Sequence, residues 1–89
     1  MKIISYNLNG LRAAARLNVL DWLKQEDADI ICLQEVRAEQ KVCEEILKEF
    51  RKSYNITFNC GEKKGYSGTV TLSKIKPIKV ILGLINDKK

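Results

Sequence analysis

Two short apolar strings, Lys2–Asn7 (KIISYN) and Ile30–Leu33 (IICL), bracket a stretch in which Leu17, Leu20 and Leu23 recur every three residues with Trp22 nearby. Strings this short suit strands, whereas the three-residue spacing suits the one-sided apolar stripe of a helix over Leu17–Gln25. Strand, helix and strand in that order form a crossover unit, whose two strands lie parallel in one sheet. Lys2–Asn7 reads as a buried strand with a polar C-terminal end. Ile30–Leu33 shows no alternation, the pattern of a parallel strand covered on both faces. Gly10 marks a turn within Leu8–Ala14.

Beyond this unit the spacing predicts a second helix over Ala38–Ser53. Val42, Cys43, Ile46, Leu47 and Phe50 share one face, with Glu44, Glu45, Lys48 and Arg51 off it, as in a core-packing helix with a charged exterior. From Asn55 the period falls to two: Ile56, Phe58 and Cys60 alternate with Thr57 and Asn59. A turn at Gly61–Gly65 and a return strand at Thr69–Ser73, with Val70 and Leu72 on one face, complete a hairpin. Pro77 then breaks the chain before a further strand, Ile78–Leu82. The order β-α-β-α-β-β-β describes an α/β layered domain. A chain of 89 residues has room for one small domain. It stops at the turn-like Asn86–Lys89 without a closing element, so residues 1–89 are expected to form a partial domain, cut at its C-terminal end.

The net charge of +5 is unevenly spread: residues 1–49 carry seven Lys/Arg against nine Asp/Glu, residues 50–89 nine against two. The basic residues Arg51, Lys52, Lys63, Lys64, Lys74, Lys76 and Lys79 suit a polyanionic partner, whose condensed counterions they would release. A solvated basic surface satisfies the same pattern. Cys32, Cys43 and Cys60 lack CxxC spacing and the chain has no His, which argues against a Cys/His zinc site. Three free thiols fit packing residues in a reducing compartment, cytoplasmic or, in a eukaryote, nuclear. Ser5, Asn7 and Asn9 interrupt the opening segment, unlike a secretory signal, and no apolar run is long enough for a bilayer. Export and membrane insertion are therefore not expected.

Three groups can carry chemistry. Asn7 ends the first strand, Asn9 lies two positions on, and Glu35 follows the second strand after Gln34. Parallel strands bring these C-terminal ends to one sheet edge, where open α/β sheets bind ligands. One carboxylate and two amides there make a hard-oxygen environment suited to Mg²⁺, although a Glu after a strand is more often an exposed loop residue. Lys63, Lys64, Gly65, Tyr66, Ser67 and Gly68 form a basic, glycine-rich bend that can approach phosphates, or a solvated loop with Tyr66 packed as a strand aromatic. Arg12, just past the first strand, can meet a phosphate on Glu35's side, or remain solvated.

The segments KIISYNLNGLRAA, LDWLKQEDADIICLQE and GYSGTVTLSKIKPIKV, in this order and spacing, resemble the start of the exonuclease III/AP endonuclease family of the endonuclease–exonuclease–phosphatase superfamily. LQE is shared across the superfamily, whereas NLNGLR together with GYSG is particular to the DNA-repair branch. The resemblance implies the N-terminal part of a four-layer α/β sandwich, with the second sheet absent from this chain. It implies a DNA-repair phosphodiesterase, an AP endonuclease or 3′-5′ exodeoxyribonuclease, acting on double-stranded DNA with abasic sites. Its cofactor would be Mg²⁺, with Mn²⁺ as a substitute. Glu35 would be the metal ligand with Asn9 beside it, Asn7 and Glu35 would serve catalysis, and Arg12, Lys63, Lys64 and Gly65–Gly68 would contact the DNA backbone.

The chain departs from that pattern. Val36-Arg37 stands where Thr-Lys is common, and Thr69 and Thr71 replace apolar residues in a strand the family buries. The family's Asp-x-Asn pair, phosphate-facing Tyr, and late Asp and His have no counterpart. On the resemblance the chain alone is expected to be inactive. Without the second sheet, the inner faces of Ile30–Leu33 and Val70–Leu72 are expected to lie bare, favouring self-association or a complementary C-terminal segment. Two other readings remain: a phosphodiesterase or phosphatase of the superfamily acting on lipids or inositol phosphates, and a non-catalytic basic protein that binds nucleic acid or a partner.

Overall fold

The computed structural model of the chain describes residues 1–59 and 68–75. Strands β1 (Ile3–Asn7) and β2 (Ile30–Gln34) pair in parallel, with Ile3 opposite Ile30 and Asn7 opposite Gln34. The crossover between them differs from the single helix that the leucine spacing predicts. It comprises α1 (Leu11–Arg16) and α2 (Val19–Glu26), with Asn18 between them in the left-handed region at φ 64°. The Ala13–Ala15 run favours a helix where Gly10 suggests only a turn, and Leu11 and Ala14 are buried beneath α1. Leu17 is then not a core residue: it follows α1 and is 74% exposed, while Leu23 is buried. Gly10 itself, at φ 102°, precedes α1 with open space where a Cβ would stand, so the requirement there is conformational.

The second helical stretch is also divided. Helix α3 (Gln40–Ile46) passes through Leu47 into a 3₁₀ helix, Lys48–Lys52, rather than running unbroken over Ala38–Ser53. The change of pitch keeps the expected face inward, since Cys43, Leu47 and Phe50 are all buried. Strands β3 (Asn55–Asn59) and β4 (Thr69–Ser73) form the expected antiparallel pair, with Phe58 opposite Val70 and Ile56 opposite Leu72. Strand β4 also pairs antiparallel with β2, giving the sheet order β1-β2-β4-β3. Cys60, the turn over residues 61–65, Pro77 and the strand expected at Ile78–Leu82 lie outside the described residues.

Sheet and helices close one core. Ile31, Leu33, Val70 and Leu72, each at most 1% exposed, point from the sheet towards Leu11, Leu23, Leu47 and Phe50. This corrects two expectations. Strand β1 is not buried: Ile4 is half-buried, whereas the rest of the strand is exposed. Strand β2 is covered on one face only, since Ile30, Cys32 and Gln34 remain half-buried. The helices cover Ile31, Leu33, Val70 and Leu72 on one face of the sheet, and among the described residues no element covers the other. The open face instead carries the other set of alternating residues, including Ser5, Gln34, Thr69 and Thr71, with Ile3 and Ile30 as its largest apolar members. Thr69 and Thr71 lie on this face and leave the packed side intact.

The N-terminal end of the parallel pair is closed by polar ties. The Tyr54 hydroxyl donates to the Ala28 carbonyl at 2.6 Å, and Lys74 Nζ meets Asp27 Oδ1 at 2.7 Å. Lys2 pairs with Glu26, and its backbone N–H donates to Asp29 Oδ2 at 2.7 Å. Lys74 therefore has a carboxylate partner, although charge counting places it among cations available to a polyanion.

Candidate functional site

The C-terminal ends of β1 and β2 meet at one edge, and three backbone bonds carry their alignment into the loops. Leu8 N–H donates to Gln34 O at 2.9 Å, Gly10 N–H to Glu35 O at 2.8 Å and Leu11 N–H to Val36 O at 2.8 Å. On the other side Val36 N–H donates to Gly68 O at 3.2 Å, with Gly68 in the left-handed region at φ 67°. The Gln34–Val36 segment is thus held between the loop after β1 and the start of β4. Gln34 braces the edge further, since its Nε2 donates to Ser5 Oγ at 3.0 Å and to Cys32 O at 3.2 Å.

Within this frame Glu35 and Arg37 have positive φ, 51° and 52°, on either side of Val36. Left-handed backbone at a residue with a Cβ costs on the order of 1–2 kcal/mol, so the bonds around it hold the segment in a shape it would not choose alone. Val36 is fully buried and packs in the core. Its departure from the common Thr therefore concerns packing, because a hydroxyl there would need a buried partner. Glu35 is half-buried, and Arg37 Nη2 donates to its Oε1 at 3.0 Å. The reading of Glu35 as a solvated loop residue does not describe this arrangement.

Asn7 and Asn9 reach the same edge in another manner. Asn7 Oδ1 accepts the Asn9 N–H at 3.0 Å, a short side-chain-to-backbone turn that holds Asn9 at φ 52°. Among the described residues no hydrogen bond joins either amide side chain to the Glu35 carboxylate; the connection runs through the backbone of Gly10. Arg12 is exposed in the first turn of α1, directly after this loop. Gly68 is the described member of the expected DNA-contacting bend, and Lys63, Lys64, Gly65, Tyr66 and Ser67 lie outside the described residues. The structure therefore brings Asn7, Asn9, Glu35 and Gly68 to one edge, with Arg12 next to it. Arg37 is the residue that a search of spacing passes over. Its signal is its place two residues after Glu35, which becomes informative only once both have reversed backbone.

The donor set admits a hard divalent cation in one form. Glu35 Oε2 and the amide oxygens of Asn7 and Asn9 are of the right chemistry, and such a cation takes one or two carboxylates with the balance from water and substrate oxygens. Among the described residues no group of three or more His, Cys, Asp or Glu side chains converges, so a cage made wholly of protein ligands is not built here.

Comparison with known proteins agrees with these features. The sequence model of the Endonuclease/Exonuclease/phosphatase family matches residues 4–88. An exodeoxyribonuclease of Bacillus subtilis is 47% identical over 85 residues, which are 94% of this chain and 32% of that protein. The DNA repair nuclease APEX1 of Danio rerio is 40% identical over 85 residues, 94% of this chain and 27% of that protein. An AP endonuclease structure from Archaeoglobus fulgidus superposes with a TM-score of 0.68 at 32% identity, covering 86% of this chain and 28% of that one. The chain thus spans about a third or less of the length of these relatives.

Proposed function

Because the chain belongs to the Endonuclease/Exonuclease/phosphatase family, we propose that it supplies one part of the active centre of a Mg²⁺-dependent DNA-repair phosphodiesterase. The substrate is double-stranded DNA at abasic sites, and the bond hydrolysed is a backbone phosphodiester. The observation that carries this reading is Glu35, held at the joint edge of two parallel strands on a backbone fixed from both sides. The nuclease relatives and the hard-oxygen character of the edge support it.

In this proposal Glu35 is the carboxylate ligand, Asn9 lies beside the cation, and Asn7 orders the loop that brings Asn9 there. Bound Mg²⁺ would stabilise charge developing on the scissile phosphate. Arg12, Lys63, Lys64 and the Gly65–Gly68 bend would hold the DNA backbone without reading sequence. The chain has no His, and among the described residues no second acid stands beside Glu35 to orient water, so this part of the constellation is incomplete. A complementary C-terminal segment would supply the remainder.

Incision of a duplex containing one abasic site tests the reading. The 89-residue chain with Mg²⁺ should give no cleavage above background. Addition of a complementary C-terminal segment, taken from a relative such as the Bacillus subtilis protein, should produce Mg²⁺-dependent incision that Glu35→Gln removes. Cleavage by the chain alone, removed by the same substitution, would overturn the incompleteness. The uneven charge favours one second reading, a non-catalytic nucleic-acid binder. Its outcome would be saturable, Mg²⁺-independent duplex binding, with no incision even when the segment is present.

A further inference from the structure

We propose that Arg37 is a built-in competitor for the Glu35 carboxylate and sets how tightly this edge holds a divalent cation. The inference rests on the reading of Glu35 as the cation ligand. Arg37 Nη2 donates to Glu35 Oε1 at 3.0 Å, from a residue whose backbone is reversed just as that of Glu35 is. The intervening Val36 is fully buried and bonded through its backbone on both sides, N–H to Gly68 O and O to Leu11 N–H. Arg37 is thereby kept within reach of Glu35 by the fold and not by chance contact of two surface side chains. A guanidinium and a divalent cation want the same carboxylate lone pairs, and their positive charges repel. A cation that uses both Glu35 oxygens must displace Arg37. The released guanidinium, on the edge next to Arg12, is then free to bind phosphate oxygens.

Both partners are partly exposed, with side chains 51% and 33% accessible, so the competition is modest. Removing it should tighten cation binding about two- to fivefold, the range expected of a solvent-screened ion pair. The test is direct Mn²⁺ binding to the purified 89-residue chain, read from the electron paramagnetic resonance signal of free Mn²⁺. Far-UV circular dichroism of each variant serves as the fold control. Arg37→Met should bind Mn²⁺ more tightly than the wild type, and Arg37→Lys, which keeps the charge without the planar fork, should fall between them. Glu35→Gln should bind it much more weakly. If Glu35→Gln binds like the wild type, the cation site itself is wrong. If Glu35→Gln loses binding while Arg37→Met is unchanged or weaker, the site stands and the competition does not exist.

Discussion

Glu35 sits where its backbone is least at ease. At φ 51° it adopts a conformation that glycine takes freely and a residue with a Cβ takes at a cost. Glu35→Gly and Glu35→Ala both remove the carboxylate and the ion pair with Arg37. They differ only in backbone, so the glycine variant should be the more stable by about 1 kcal/mol, read from urea unfolding. Equal stability would mean that the positive φ is not imposed by the fold. Asn9, Asn18 and Asp27 also have positive φ, but short amide and carboxylate side chains tolerate that region better than Glu or Arg. The placement of Glu35 at a strand end is legible in the sequence, because an apolar run followed by a polar residue marks where the strand stops. Its pairing with Arg37 is not, since residues two apart in an extended chain would face the same way without meeting.

Between elements, single contacts fasten one end to another. Tyr54 follows the 3₁₀ helix and ties it to Ala28 at the entry of β2, and Lys74 ties the end of β4 to Asp27. Tyr54→Phe would leave the Ala28 carbonyl without its donor and should cost about 1–2 kcal/mol in chemical unfolding. Burial raises the Tyr54 hydroxyl above its ordinary 10.0, and the hydrogen bond to Asp27 raises Lys74 above 10.5. Groups whose folded values are raised hold their protons more tightly in the native state. Their stabilisation is whole below the unfolded values and is lost as pH rises through the folded ones. Stability should therefore decline above about pH 10, and less steeply in Tyr54→Phe; an unchanged alkaline limb in that variant would remove Tyr54 from the cause. Periodicity exposed every described strand to sequence reading, because alternation and apolar runs are local properties. It passed over α1, where Gly10 suggested only a turn, and joined α3 to the 3₁₀ helix, because a tightened turn at Leu47 leaves the spacing of apolar residues almost unchanged.

For the whole molecule, the sheet has a packed side and an open side, and substitutions should separate them. Leu33→Ala on the packed side should lose about 2–5 kcal/mol, a large share of a small domain's stability. Ile3, on the open side and 59% exposed, should accept Lys with a change within about 0.5 kcal/mol. The same substitution should weaken assembly with the complementary segment, measured by sedimentation, if that face is where the segment docks. Duplex DNA binding should fall steeply with salt, and Lys63→Ala with Lys64→Ala should weaken it about equally on every sequence; a changed sequence preference would contradict backbone contact. The α/β class and the antiparallel pair follow from patterns along the chain, whereas the order β1-β2-β4-β3 does not, because insertion of β4 between two earlier strands is a long-range choice. That insertion gives synthesis a direction. While the chain leaves the ribosome, β2 and β3 have no partner in common until Thr69–Ser73 has emerged. A nascent chain released after Asn59 should therefore remain protease-sensitive at β3, and one extended past Ser73 should gain protection there, whereas β2 already has β1 beside it.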